Sequence, residues 1–456
     1  MSASGRPPAW ELRSSVPGAT WPALPAPGAA AALALLWQLE RSERLDPAAL
    51  RALQLRQLEA LLAHAWASVP WYREHWAGRY DPARQLSAGR FAELPLLPRR
   101  ALQLEYDALN SAAVPPEHGA LSESRTSGAT GSPVRVRKTG LTTLLWNAFT
   151  LRDHRWHGRD LRRKLAVIRQ GLAPGEAPNW GSATAGLVET GPCVMLGPQA
   201  DIDAQLAWLE REQPAYLLTY PSSVAELARA SLARGAALHE LREVRTLGES
   251  LDPETRTLCR EAWGVPLTDV YSAEECGYIA LQCPEGEHYH VQAEGVLVEV
   301  LDEHGAPCAP GQTGRVALTS LHNFATPLVR YELGDYAEVG EPCACGRGLP
   351  VLKRVLGRVR NMLVTADGRR YWPTFGVRSL SEVAPVLQVQ CVQKRHDLVE
   401  ARIVASAPLE AAQEAELRAR ILSRLPPGIA LELSYPARIE RSAGGKFEDF
   451  VCELSA

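Results

Sequence analysis

From Pro47 to Trp76 the apolar residues fall at helical spacing in "PAALRALQLRQLEALLAHAWASVPWYREHW". Leu53, Leu55, Leu58, Leu61 and Leu62 form a stripe, so the expectation is a helix that buries this face. Further along, the period changes. "KLAVIRQG" is a short apolar run that reads as a strand. "PAYLLTYPSSVAELARASLARG" predicts a strand, a capped turn at Pro221-Ser222-Ser223, and a helix that stops at Gly235. "LREVRTLGESLDPETRTLCREAWGVPLTDVYSAEE" repeats that scheme, with a helix cap at Asp252-Pro253. Strands alternating with helices predict a largely parallel α/β sheet.

After Cys283 the pattern is different. "GVLVEVLDEHGAPCAPGQTGRVALTSL" reads as two strands around an "EHGAP" turn, which makes this region antiparallel. The end of the chain reads as strands at Gln388–Gln393 and Val399–Val404, a helix from Leu409 to Leu425 and a strand at Leu431–Tyr435. The expected class is therefore α/β, with mixed, mainly parallel sheets plus a β-rich subdomain, followed by a small mobile α+β domain. The expected divisions are a loosely ordered segment at 1–33, rich in Pro, Ala and Gly, a large domain at 34–356 and a small domain at 357–456.

A chain of 456 residues agrees with two or three domains. A net charge of −3 excludes the basic face of an ordinary nucleic-acid binder. Nine cysteines, an odd number, argue against a secreted disulfide scaffold. "GAAAALALLWQL" is too short to span a membrane and runs into charged "ERSERL", so it reads as a helix. A cytoplasmic enzyme is the expectation.

Four stretches carry candidate chemistry. In "TSGATGSPVRVRKTG" the glycines let backbone N–H groups approach an anion, and the hydroxyls add donors. The spacing of a Walker A loop is absent, and a flexible Ser/Gly loop is the competing reading. "VYSAEECG" ends an apolar strand in two carboxylates, Glu274 and Glu275, where α/β sheets bind ligands and where a carboxylate beside phosphate can hold Mg²⁺. "TPLVRYELGDYAE" reads as a strand that delivers Arg330 and Tyr331, then a Gly-Asp turn whose aspartate could accept two hydrogen bonds from a diol. "RSAGGKFEDF" places Lys446 after two glycines. Each of these, taken alone, reads as readily as a surface turn.

Their order and spacing together resemble the adenylate-forming superfamily of acyl-CoA synthetases and adenylation domains. The phenylacetate–CoA ligase-like branch is the closest match. Its "TSGSTGxPV", "YGSTEAG", "MPLIRYxxGDYA" and "CxCGRxLP" are similar to "TSGATGSPV", "YSAEECG", "TPLVRYELGDYA" and "CACGRGLP" here. The resemblance covers roughly residues 35 to 450. It implies that Thr126, Ser127, Gly128, Thr130 and Gly131 hold the ATP phosphates, and that Gly248, Glu249 and Tyr271 border adenine and the acyl site. It further implies Glu275 as the Mg²⁺ ligand, Asp335 on the ribose, Arg358 on ribose or phosphate, and Lys446 at the acyl-adenylate centre. The small domain is implied to rotate about a hinge between Leu356 and Val364. Here Asn361 stands where the branch usually has aspartate. Ser272 and Glu274 replace a glycine and a threonine of the magnesium motif.

Cys283, His290, Cys343 and Cys345 would complete a tetrahedral Cys₃His structural zinc site, with His288 as the alternate histidine. Cys276 reads as packing. The basic run from Arg152 to Lys164 reads as a solvated helix face. The resulting expectation is an ATP-dependent ligase that activates a carboxylic acid, of aryl or arylacetic type, with Tyr220, Pro221 and Ser222 lining the acyl pocket. CoA is the leading acceptor. An amine and a hydroxyl are the alternatives, and a catalytically inactive nucleotide-binding partner protein is the rival from another class. Self-association as a homodimer is left open.

Overall fold

The computed structural model describes residues 10–126, 133–358, 361–373, 375, 380–440 and 447–454. Strands β1 (Ser122–Arg125) and β2 (Arg135–Lys138) pair antiparallel on either side of the glycine–hydroxyl loop. The chain then builds a twelve-stranded sheet. Its first half contains β3 (Leu165–Ile168), β4 (Gly175–Ala177), β5 (Cys193–Leu196), β6 (Tyr216–Thr219), β7 (Glu243–Leu247) and β8 (Leu267–Ala273). Neighbours in the order β5-β3-β6-β7-β8 are parallel, and β4 closes that edge antiparallel.

The second half contains β9 (Gly277–Gln282), β10 (Tyr289–Val291), β11 (Val296–Leu301), β12 (Thr313–Ser320), β13 (Tyr331–Val339) and β14 (Val351–Arg358), and every pairing in it is antiparallel. The mixed α/β class read from the periodicity is thus the observed one. Strand β8 is parallel to β7 and antiparallel to β9, so the sheet changes character at the Glu274–Cys276 turn.

Both faces of the parallel part are covered, as such sheets require. Leu206, Leu209, Val224, Leu227 and Cys259 from the helices Ile202–Glu212, Pro221–Arg234 and Pro253–Trp263 pack on Ile168, Leu217 and Val244. Leu39, Leu145 and Phe149 from the helices Pro27–Ser42 and Gly140–Trp156 pack near Val270 and Leu281. A separate four-stranded sheet is formed by Val386–Arg395, Leu398–Ala405, Ala430–Ser434 and Phe450–Cys452, and it has its own core with the helix Ala411–Leu422.

Several expectations change. The leucine stripe is buried at Leu58, Leu61 and Leu62, but Leu53 is 41% exposed; Leu50, Gln54 and Ala65 complete the buried face. The helix ends at Ser68, because Pro70 opens a new short helix. Pro221-Ser222-Ser223 is not a turn: Pro221 is the first helical residue, where its missing N–H costs nothing. Residues 10–33 are tied down more than their composition suggests, since Arg13 N donates to Leu187 O and the helix Pro27–Ser42 crosses the expected boundary.

The Gly-Asp of "YELGDYAE" lies within β13, where cross-strand pairing overrides the local turn signal. The basic run is divided: Arg155, Arg162 and Arg163 are exposed, as a solvated face would be, but two of its arginines are interior. Arg152 and Arg159 are buried, and Arg159 bonds Glu243 at 2.6 and 2.9 Å and also meets Asp153 and Thr268. Against the cost of burial, Arg159 and Arg245 hold the Asp153 carboxyl well below the usual carboxylate range. No helix among the described residues is long and apolar enough to cross a membrane.

Candidate active site

Strands β6, β7 and β8 end side by side, and a cleft opens beyond their carboxyl ends, where α/β sheets bind ligands. Its volume is about 1110 Å³, above the roughly 300–1,000 Å³ of ordinary small-ligand pockets, so it has room for a nucleotide and a second substrate. Thr126, Pro221, Ser222, Gly248, Glu249, Tyr271, Glu275, Asp335 and Arg358 all line it. Phe375, Leu387 and Phe447 line it from the side of the smaller sheet. Tyr220 is buried and is not among the lining residues; its hydroxyl accepts from Gln170 N at 3.1 Å. Ser127, Gly128, Thr130, Gly131 and Lys446 lie outside the described residues.

Thr126 closes the base of the glycine–hydroxyl loop. Its N–H donates to Val134 O and its hydroxyl accepts from Val134 N, both at 2.9 Å. A hydroxyl that accepts one bond keeps its own proton to donate. At the β8–β9 turn the two glutamates divide: Glu274 is exposed, whereas Glu275 is 2% exposed. Gly277 makes this turn possible. Its φ is +87°, and a Cβ there would stand 3.2 Å from Trp146.

Glu275 Oε1 accepts from Arg99 Nη1 at 2.6 Å, and the same nitrogen donates to Tyr331 OH at 2.9 Å. Among the described residues no hydrogen bond engages Oε2, and Glu275 lines the cleft, so it offers a hard oxygen ligand there. That donor suits Mg²⁺. Sequence reasoning missed Arg99, which sits in "LPRRAL" with no motif around it. Cys276, next to Glu275, is no nucleophile: burial, and then the Glu275 charge, push its thiol far up.

Asp335 and Arg358 are register partners on β13 and β14. Asp335 Oδ2 accepts from Tyr271 OH at 2.9 Å, and Arg358 Nε lies 3.5 Å from Oδ1. Burial raises the Asp335 carboxyl above its ordinary value, and Arg358 works against that rise. A carboxylate offers about four lone-pair sites, so this one can hold Tyr271 and still accept from a diol.

The cysteine cluster lies at the end of the β9–β10 hairpin. His290 on β10 pairs in register with Val351 on β14, which brings Cys343 and Cys345 alongside. Ligand atoms of Cys283, His288, His290 and Cys343 all lie within 4.8 Å of one another. The two sulfurs of Cys283 and Cys343 are 3.9 Å apart, and Cys345 Sγ is 3.4 Å from His290 Nε2. Ligands about 2.3 Å (sulfur) and about 2.0–2.1 Å (nitrogen) from one tetrahedral centre stand about 3.8 Å apart for S···S and about 3.5 Å for S···N. The spacing therefore fits a zinc ion, and His288 Nε2, buried with no hydrogen-bond partner, suits a ligand. Cys283, Cys343 and His290 belong to both four-donor sets; Cys345 and His288 contest the fourth place.

No family model matches the chain. It is 28% identical over 446 residues to a phenylacetate-coenzyme A ligase of Thermus thermophilus, covering 89% of this chain and 96% of that protein. Among solved structures, a 2-hydroxyisobutyryl-CoA ligase in the postadenylation state, in complex with R3-HIB-AMP, superposes with a TM-score of 0.73 at 20% identity, covering 91% of this chain and 92% of that one. The same ligase with 2-HIB-AMP and CoA, in the thioesterification state, gives 0.59 at 20% identity with 91% of each chain covered.

Proposed function

We propose that this chain, of the phenylacetate–CoA ligase-like branch of the adenylate-forming superfamily, activates a carboxylic acid with ATP and passes the acyl group to coenzyme A. The observation that carries the reading is convergence. Residues from separate stretches of the sequence, Thr126 to Arg358, face one cleft at the carboxyl ends of the parallel strands. An aromatic or arylacetic acid is the proposed substrate class.

In the first step a carboxylate oxygen attacks the α-phosphorus and pyrophosphate leaves. In the second the CoA sulfur attacks the acyl carbon and AMP leaves. The first step brings two anions together, so fixed positive charge must meet the developing charge. We assign that role to Lys446. Thr126 and the loop it closes bind the phosphates, Asp335 and Tyr271 orient the ribose, and Arg358 contacts ribose or phosphate. Gly248 borders adenine, and Pro221 and Ser222 border the acyl group. Glu275 would hold Mg²⁺, which when bound supplies charge neutralisation at the phosphates. A structural zinc held by Cys283, Cys343, His290 and either Cys345 or His288 would fasten the β9–β10 hairpin to the segment before β14. The small unit from residue 357 onwards is taken to reorient between the two steps.

ATP–pyrophosphate exchange against a panel of acids tests the reading, followed by product mass with CoA. Exchange that depends on the acid, and a thioester once CoA is added, are expected. No exchange with any acid would refute it in favour of an inactive nucleotide binder. Lys446→Ala should lower exchange by about 10²–10³-fold.

A further inference from the structure

Glu249 follows the carboxyl end of β7, where the resemblance sets it beside adenine, but its carboxylate is engaged elsewhere. Oε2 accepts from Ser222 N at 3.0 Å and Oε1 from the Ser222 hydroxyl at 3.1 Å, which fastens it to the first turn of the helix Pro221–Arg234. The same Oε1 accepts from Phe447 N at 2.9 Å. Phe447 is part of the smaller sheet's framework. The carbonyls of Glu448 and Asp449 accept from Gln390 Nε2 at 2.9 Å and Cys391 N at 2.7 Å, and Phe450 opens the strand paired with Val386–Arg395. One carboxylate thus joins a helix on the large sheet to the rooted end of the small sheet, at the chain neighbour of Lys446.

We infer that Glu249 is a positioning residue: a latch that holds the small sheet over the cleft in the adenylate-forming orientation and must release before thioester formation. The inference rests on the two-step reading above. The better superposition on the postadenylation state of the 2-hydroxyisobutyryl-CoA ligase, 0.73 against 0.59 at near-equal coverage, supports that orientation. The chemistry of the group fits as well. A carboxylate has enough lone pairs for three donors, and bonds to a charged acceptor are stronger than neutral ones. Phe447 Cα is about 3.8 Å along the chain from that of Lys446, so fixing the Phe447 amide limits where the lysine can be.

Glu249→Ala and Glu249→Gln in the full chain test this. The two half-reactions are measured separately: pyrophosphate exchange, and thioester formation from synthetic acyl-adenylate with CoA. Glu249→Ala should lower kcat for exchange by about 10- to 100-fold, with KM for ATP unchanged and the second step unchanged or faster. Glu249→Gln, which keeps one acceptor oxygen, should recover part of the loss. Equal falls in both half-reactions, or a raised KM for ATP at constant kcat, would overturn the latch in favour of an adenine contact. Small-angle X-ray scattering decides independently of turnover: Glu249→Ala should enlarge the radius of gyration, and an unchanged profile would overturn the inference. If the wild type shows no exchange with any acid, the functional reading fails while the scattering result still judges the latch.

Discussion

Asp449 is a half-buried carboxyl group lining the cleft, and its replacement by asparagine should make the protein more stable near neutral pH. Burial, and then the charge of Asp252, raise its titration from 3.8 to about 6, with Glu249 adding to the effect. The sign follows from proton counting. Between about pH 4 and 6 the folded arrangement binds a proton that the unfolded chain has released, so stability falls as pH rises through this window. Below it both forms are protonated and no penalty exists. Above it the penalty is complete, and a rise of about two pH units at about 1.4 kcal/mol each gives about 3 kcal/mol. Asparagine keeps an acceptor oxygen for the backbone N–H of Asp449 and of Phe450 that now serve the carboxylate. The assay is urea unfolding of wild type and Asp449→Asn at intervals from pH 4 to 8. Titrations common to both proteins cancel in the difference. The variant's advantage should be near zero at the acid end, grow through pH 5 and level off at about 3 kcal/mol above pH 7. A difference that stays flat with pH, or a wild type that is the more stable at pH 7, would refute the reasoning.

Arg159→Met should cost about 3–5 kcal/mol in urea unfolding, because it strands the buried Glu243 and leaves Asp153 only Arg245; a loss below about 1 kcal/mol would show that water reaches the network. Purified protein should carry one zinc per chain by metal analysis, and Cys343→Ser should lose it and lower the melting temperature, whereas metal-free wild type would defeat the zinc assignment. Comparing Cys345→Ser with His288→Ala for zinc affinity identifies the fourth ligand. Asn361 Nδ2 donates to Phe450 O at 2.7 Å, a bond that an ionised aspartate cannot make. Asn361→Asp should therefore destabilise by about 1–3 kcal/mol at pH 7, with much of that loss recovered at pH 4; a pH-independent effect would contradict the account.

What could be read from the sequence depended on how local the cause was. The helices at Pro221–Arg234 and Pro253–Trp263 announce themselves through proline at the first helical position and a glycine in the left-handed region after the last turn, Gly235 and Gly264. The cysteine cluster was legible because few residue types bind zinc and their spacing is restrictive. Gly334-Asp335 misled because a dipeptide turn signal is local, whereas β13 is held by β12 and β14 on its two sides. Within the run from Arg152 to Lys164, Arg152 and Arg159 misled because charge reads as solvation unless its partners are known, and Glu243, Glu294 and Arg245 come from distant strands and turns. Arg99 could not be found at all: its meaning lies in its contact with Glu275, 176 positions away. The departure at Asn361 was visible in the sequence, but its donor's task towards Phe450 O was not, since that partner lies 89 positions away.

The two interfacial acids pull against each other, and that opposition suits a unit that must move in every turnover. Glu249 holds the small sheet through a charge-assisted bond to Phe447 N, which by the usual scale contributes about 1.5–3 kcal/mol. Two residues further along the same segment, Asp449 charges at neutral pH, and the repulsion it meets from Asp252 and Glu249 across the cleft opposes the same closure. The two contributions oppose each other, so both orientations can be populated and the ligand decides between them. A two-state element responds to small differential affinities only when its intrinsic bias is a few kcal/mol or less. Strengthening the closed form, as Asp449→Asn does, should then favour adenylation and slow the thioester step, while weakening it through Glu249 should do the reverse. Placed in one protein, the two substitutions should offset each other in the ratio of the half-reaction rates, even though each alone shifts that ratio in its own direction.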